Sequence, residues 1–106
     1  MIIGAIRLTF VVGTDGSSSR STSQKLKERI WNRFKFTCIE VPSSAPNELV
    51  IGVASLGINE TQTRNKIQDL IKHLNEWGQV ELVNDEVELI HFEDIEAERN
   101  FEKYNP

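Results

Sequence analysis

One segment of this 106-residue chain is apolar in both phases of a strand. Residues 48–56 read Glu-Leu-Val-Ile-Gly-Val-Ala-Ser-Leu, so apolar side chains stand at odd and at even positions alike. Alternate side chains of a strand point to opposite faces of a sheet. Continuous apolar runs of this kind are typical of strands that are covered on both faces. Any fold of this chain therefore has to provide cover for both sides of this strand.

Periodicity predicts the elements that precede this strand. Residues 2–12 carry an apolar side chain at every second position, which predicts a first strand. Residues 22–34 repeat apolar side chains every three or four positions and predict an amphipathic helix. The Gly-, Ser- and Asp-rich segment 13–21 between them predicts a loop. The β-branched and aromatic segment 36–41 predicts a second strand, which the Pro- and Ser-rich turn 42–47 ends.

A second helix and a last strand follow the segment 48–56. Asn59 and Gln62 have the spacing of a capping box, an apolar stripe runs through residues 60–77, and Gly78 predicts the end of that helix. Residues 80–92 predict a strand with a bend or bulge at Asn84 and Asp85.

The predicted order is therefore β-α-β-β-α-β, and both crossover helices pack on the same face of a four-stranded antiparallel sheet. This is the ferredoxin-like α+β two-layer sandwich. Residues 1–92 form a single domain in this prediction, and 93–106 form a charged C-terminal extension, read as a short helix or a frayed tail. The predicted core contains Ile6, Leu8, Phe10, Leu26, Ile30, Phe34, Ile67, Leu70, Ile71 and Leu74.

The second sheet face is left open in this fold. One phase of the strands 2–12 and 48–56 leaves apolar side chains on that face, and a monomer would have to expose them. We therefore expect a homodimer through the open sheet face, because one symmetric contact buries the apolar area of both copies.

Charge is divided along the chain. Residues 1–38 carry seven basic and two acidic side chains, whereas residues 39–106 carry five basic and fourteen acidic ones, for a net charge of −4. Such a division concentrates positive potential at one surface of an acidic protein. The overall acidity therefore does not exclude an anionic partner.

Four segments occur in a set order along the chain. They are Met-Ile-Ile-Gly-Ala-Ile-Arg-Leu at 1–8, Asn-Arg-Phe-Lys-Phe-Thr-Cys-Ile-Glu-Val at 32–41, Ile-Gly-Val-Ala-Ser at 51–55 and Val-Glu-Leu-Val-Asn-Asp-Glu-Val-Glu-Leu-Ile at 80–90. Together they resemble the bacterial YlxP-like family, domain of unknown function 503. The resemblance implies a ferredoxin-like fold, no established enzymatic activity and, through the gene neighbourhood of the family, an accessory role linked to the ribosome.

The chain departs from this family between the first strand and the first helix. The family usually has Ser-Leu-Lys-Glu-Lys-Arg there, whereas this chain has Asp-Gly-Ser-Ser-Ser-Arg at 15–20 and keeps only Arg20. An alternative function comes from the same segment. Arg20 and the Ser-rich loop are superficially similar to the anion loop of acylphosphatases, which would make the chain a phosphate hydrolase, although the Gln-Gly-Val-x-Phe-Arg signature is absent.

Residues that carry out chemistry are scarce, with one Cys and two His in the whole chain. His73 and His91 have no second His or Cys at metal-ligand spacing. Cys38 lies in a strand, with no helix end or His placed by the sequence to lower its pKa. The sequence therefore predicts no catalytic residues, no cofactor and no metal site, and a protein that is not an enzyme.

Basic side chains line one side of the first helix. Lys25, Arg29 and Arg33 are spaced four residues apart, which predicts a ridge about 12 Å long on the solvent side of the helix. Arg20 and Lys35 extend it at either end. Such a ridge can follow a nucleic-acid backbone through phosphate contacts, although a solvated helix face needs no partner.

The expected function is that of an accessory factor that contacts ribosomal or other structured RNA through these five residues. The alternative is an oligomeric protein-interaction or regulatory module. A lone Cys is typical of a reducing cytoplasm. No segment approaches the roughly 18 apolar residues of a membrane span, so no membrane partner is expected.

Overall fold

The computed structural model of the chain describes residues 1–12 and 16–92, with side chains from Arg20 onward in the second range. The elements are β1 (Ile2–Val11), α1 (Gly16–Phe34), β2 (Thr37–Val41), β3 (Glu48–Gly57), α2 (Glu60–Trp77) and β4 (Glu81–His91). The four strands form one antiparallel sheet in the order β2-β3-β1-β4. This confirms the ferredoxin-like two-layer sandwich.

The first helix begins earlier than predicted. The segment 13–21 was expected to be a loop, but α1 starts at Gly16 and runs without a break to Phe34. Ser disfavours a helix only mildly, and extending a helix that is already nucleated adds one hydrogen bond for each residue ordered. The packed turns of α1 can therefore extend the helix into a segment whose composition is typical of a loop.

The bulge in the last strand lies next to the predicted position. Thr9 pairs with Asn84 and Phe10 pairs with Leu82, so the extra residue is Val83 rather than Asn84 or Asp85. An extra residue on one strand increases local twist and shifts the side-chain phase of the residues beyond it. The predicted extension 93–106 lies outside the described residues.

Both helices cover the same face of the sheet. α1 lies over β2 and β3, and α2 lies over β1, β3 and β4. Eight of the ten predicted core residues are buried between the layers, and Phe34 and Ile71 pack partly buried against them. The core also contains residues that the sequence had not singled out: Ile2, Phe36, Leu49, Ile51 and Val53.

The ends of α2 follow the sequence signals. The Asn59 side chain accepts a hydrogen bond of 2.8 Å from the backbone N–H of Gln62, and the Gln62 side chain accepts one of 2.8 Å from the backbone N–H of Ile58. Gly78 ends the helix in the left-handed conformation, with φ of 76°. No helix in the described part of the chain is long and apolar enough to cross a membrane.

Two glycines let α2 approach the sheet closely. A Cβ atom on Gly4 would lie 2.9 Å from Ile67 Cδ1, and a Cβ atom on Gly57 would overlap Thr63 Oγ1. Thr63 is fully buried at this contact, and its hydroxyl donates a hydrogen bond of 2.9 Å to the carbonyl oxygen of Asn59. The first turn of α2 therefore rests on strand positions that have room for hydrogen only.

Replacing Gly57 with Ala should lower the free energy of unfolding by about 1 to 3 kcal/mol, because the new methyl group overpacks the contact with Thr63. Urea denaturation followed by circular dichroism measures this loss. In the double variant Gly57→Ala, Thr63→Ala, the overlapping oxygen is gone. The double variant should therefore lose less free energy of unfolding than the sum of the losses in the two single variants, by about 0.5 kcal/mol or more. Strictly additive losses would contradict the proposed overlap.

Candidate nucleic-acid interface

The division of charge along the chain becomes a division in space. α1 carries five of the ten Lys and Arg residues of the described chain and lies over the β2 side of the sheet. Exposed carboxylates line β4 at the opposite edge, namely Glu81, Asp85, Glu86 and Glu88. Three strand spacings separate the two edges, about 14 Å. This exceeds the Debye length of about 8 to 10 Å at physiological salt, so the acidic edge is screened from α1.

A groove of about 560 Å³ runs along α1 on the side that faces α2. We call it the basic groove, and it is lined by Lys25, Glu28, Arg29, Asn32, Arg33 and Trp77. Lys25 and Arg33 are exposed, and no described carboxylate pairs with either of them. Glu28 is the one carboxylate of the lining, and its Oε1 accepts a hydrogen bond of 2.9 Å from Gln24.

Arg29 does not face solvent as predicted. Its Nε donates a hydrogen bond of 2.8 Å to Nε2 of His73, and its guanidinium carbon lies 4.6 Å from the centre of the Trp77 ring. Arg29 is turned about 40° from Lys25 towards the apolar stripe of α1, at 100° per residue. Its long side chain therefore reaches α2 and fastens the two helices together, half-buried at the floor of the basic groove.

The other two residues of the predicted ridge lie elsewhere. Lys35 follows α1 with φ of 60°, and its ammonium group lies 5.5 Å from the centre of the Trp31 ring, on the side of α1 away from α2. Arg20 is exposed, and at 100° per residue it is turned about 140° away from Lys25, close to the direction of Trp31. The five predicted residues thus divide between the basic groove and an outer flank of α1, which consists of Arg20, Lys27, Trp31 and Lys35.

His73 is neutral and accepts a hydrogen bond from Arg29 beside the basic groove. Burial and the charges of Arg33 and Arg29 lower its pKa, and the nearby Glu76 offsets this only in part. Its Nε2 must carry a lone pair to accept the hydrogen bond from Arg29, so the ring proton lies on Nδ1. The ring also meets Phe34 edge-on, with centroids 5.6 Å apart.

Cys38 and Arg20 show no sign of an assembled reactive site. Burial raises the pKa of the Cys38 thiol to about 11, and Lys27 lowers it only in part, so the reactive thiolate is scarce at neutral pH. Arg20 lies in the second turn of α1 rather than in a loop. Of the segment on which the phosphate-hydrolase alternative depended, residues 16–20 lie in α1, and residues 13–15 lie outside the described part of the chain.

Two aromatic residues of the candidate interface were not singled out from the sequence. Trp77 stacks under Arg29, and Trp31 remains 52% exposed on the outer flank. A signal for the first exists, because His73 and Trp77 are four residues apart and share one side of α2. Trp31 lies at the edge of the apolar stripe of α1, a position that is exposed or buried according to which element lies beside the helix.

Comparisons with known proteins find a structural likeness but no sequence match. No family model and no curated protein sequence matches the chain. A solved structure of a mutant of SnoaB, a cofactor-independent oxygenase from Streptomyces nogalater, matches with a TM-score of 0.47 and 12% sequence identity. The match covers 85% of this chain and 91% of that chain.

This match corrects the prediction that the chain is not an enzyme. That prediction was based on the absence of cofactor, metal and nucleophile motifs from the sequence. The matched protein is an oxygenase that works without a cofactor, so missing cofactor motifs do not exclude catalysis. The likeness is too distant to assign a reaction or a reacting residue to this chain.

The contact between Arg29 and His73 predicts a pH dependence of stability. The unfolded chain takes up a proton on His73 near the ordinary pKa of 6.5, and the folded chain does so only at lower pH. Unfolding is therefore coupled to proton uptake, and the free energy of unfolding should fall as the pH is lowered through and below about 6.5.

His73→Gln keeps an oxygen that can accept the hydrogen bond from Arg29 and removes the titration. The stability of this variant should therefore fall less than that of the wild type between about pH 7.5 and 5.5, as measured by urea denaturation at each pH. Equal pH dependence in the two proteins would show that His73 is not held neutral by this contact.

Proposed function

We propose that the protein is a cytoplasmic YlxP-like accessory factor that binds structured RNA, with ribosomal RNA as its target. The observation that carries this proposal is the exposed pair Lys25 and Arg33, which flank Arg29 along the basic groove and have no described carboxylate partner. Cations held on one rigid helix and left unpaired within the protein are suited to contact successive phosphates. The direction towards the ribosome comes from the resemblance to the YlxP-like family.

The position of the acidic residues supports an anionic ligand. A net charge of −4 would repel RNA if the carboxylates surrounded the binding surface. The acidic strand β4 instead lies at the far edge of the sheet from α1, beyond one Debye length. The local field at the basic groove is therefore set by the cations of α1, with Glu28 in the groove lining and Glu76 near His73 as opposing charges.

The outer flank adds an aromatic ring to these cations. Trp31 is exposed, and Lys35 lies over its ring. An unpaired base of a loop or bulge can stack on such a ring, and aromatic stacking is worth roughly 1 to 3 kcal/mol per base. This mode differs from that of RNA-recognition motifs, which place aromatic residues on the central strands of the sheet.

Reversing the two unpaired cations should abolish most of the binding. In the variant Lys25→Glu, Arg33→Glu, we expect the affinity for protein-free ribosomal RNA to fall at least about tenfold near 100 mM salt. The slope of log affinity against log salt should also decrease by about 2, because each lost phosphate contact removes about one unit. Filter binding over about 50 to 200 mM KCl measures both quantities.

A matched variant separates the surface from the net charge. Lys66→Glu, Lys72→Glu makes the same charge change on α2, where Lys66 donates only a long contact of 3.4 Å to the carbonyl oxygen of Leu56 and Lys72 is exposed. This variant should bind within about threefold of the wild type. Equal losses in both variants, or no binding by the wild type, would contradict the proposed interface. Arg29 is left unchanged in both, because it holds α1 against α2.

A further inference from the structure

The sheet face opposite the helices is apolar and uncovered within the described chain. Ile39 is 63% exposed on this face and Leu56 is 59% exposed. A shallow groove of about 720 Å³ lies over its centre, above the small residues Ala5, Gly52 and Ala54. We call this surface the open face. Exposed aliphatic side chains around a concave, small-residue centre are typical of a surface that another protein covers.

Strand register arranges the open face in four rows across the sheet. In order along the strands, the rows are Leu56–Ile3–Ile90, Thr37–Ala54–Ala5–Glu88, Ile39–Gly52–Arg7–Glu86 and Val41–Val50–Thr9–Asn84. The β2 and β3 half is therefore apolar, and the charged groups are gathered in the β1 and β4 half. Arg7 forms an ion pair with Glu86 there, whereas Glu88 has no described cation partner.

We infer that the open face binds a second copy of this chain through a two-fold contact. The available area is sufficient. Four strands about 4.8 Å apart and five to eleven residues long, at about 3.3 Å per residue, give about 500 to 600 Å² per copy before side-chain relief is counted. Two such faces reach the lower end of the range of about 1,200 to 2,000 Å² that specific interfaces bury.

The rows are complementary to themselves under one two-fold axis. An axis that crosses the strands between the second and third rows places β2 over β2 and β4 over β4, so that the apolar halves meet. Large side chains then oppose small ones, with Arg7 over Ala5 and Ile39 over Thr37 of the second copy. The same axis places Glu88 of the second copy over Glu86, one strand, about 4.8 Å, to the side of Arg7. Each arginine therefore lies between Glu86 of its own chain and the Glu88 of the second copy that has no described cation partner, and offsets the repulsion between the two carboxylates.

Charge disfavours the alternative occupant within the chain itself. Residues 93–106 contain five acidic and two basic residues and would meet a face whose charged groups are Arg7, Glu86 and Glu88. That segment carries a net charge of −3, and the charges of the three residues it would meet sum to −1. A second copy brings Arg7 with it, and its apolar half matches the apolar half of the first.

Sedimentation equilibrium of the full chain tests this inference. We expect the wild type to have twice the 12.1 kDa mass of one chain. The variant Ile39→Glu, Leu56→Glu should weaken self-association at least about a hundredfold, because it brings like charges together in the contact. Gln68→Glu, Asn75→Glu is the matched control: it also adds two carboxylates, but at exposed positions of α2 on the helical side of the sheet, and this variant should remain dimeric.

Folding and register are tested separately. Circular dichroism and urea denaturation show whether each variant is folded. A lower mass of a folded variant in sedimentation equilibrium then shows weaker self-association. Arg7→Glu alone should weaken the dimer, and Arg7→Glu combined with Glu88→Arg should restore it at least tenfold relative to the single variant. A monomeric wild type, or a dimer that persists in Ile39→Glu, Leu56→Glu, would overturn the inference. The expected masses do not depend on whether the protein binds RNA, because the basic groove lies on the helical side of the sheet, opposite the open face. The two proposals can therefore fail separately.

Discussion

The structure depends on how the apolar side chains on the two faces of the central strands are covered. β1 and β3 form the centre of the sheet and carry apolar side chains on both faces, but residues 1–12 and 16–92 supply only two helices to cover them. Right-handed crossovers place both helices on the same face. Gly4 and Gly57 allow α2 to pack closely there, which closes the core on that side. The other face then keeps Ile39 and Leu56 in solvent unless a second copy covers it.

Covering one face only also separates the charges. α1 lies over the β2 edge with its cations, and the carboxylates of β4 lie at the other edge. Arg29 is used to join α1 to α2 through His73 and Trp77, so the exposed cations beside it, Lys25 and Arg33, are held on a fixed support. In a dimer through the open face, both helical layers lie outside. The two basic grooves would then face in opposite directions, and one RNA could reach both only by wrapping around the dimer.

Local signals in the sequence predict most of the fold. The bounds of α2 agree with the prediction because Asn59 and Gly78 act within a few residues of the helix ends. The start of α1 was not predictable from composition. The Ser-rich segment at the N-terminal end of α1 becomes helical because the packed turns after it have already nucleated the helix. The place of Arg29 was not predictable either. Its angle around α1 indicates a flank, but only the tertiary structure brings His73 to that flank. The exposure of Trp31 is likewise decided by the tertiary structure, because no element of the described chain packs over its ring.

Intermolecular nuclear Overhauser effects, in a sample mixed from labelled and unlabelled protein, test most directly whether a second copy covers the open face. The account predicts intermolecular signals from the methyl groups of Ile39, Val50 and Leu56, and none from those of Ile71, which lies on α2 on the helical side of the sheet. Open-face methyl groups that show only signals from within their own chain would contradict it.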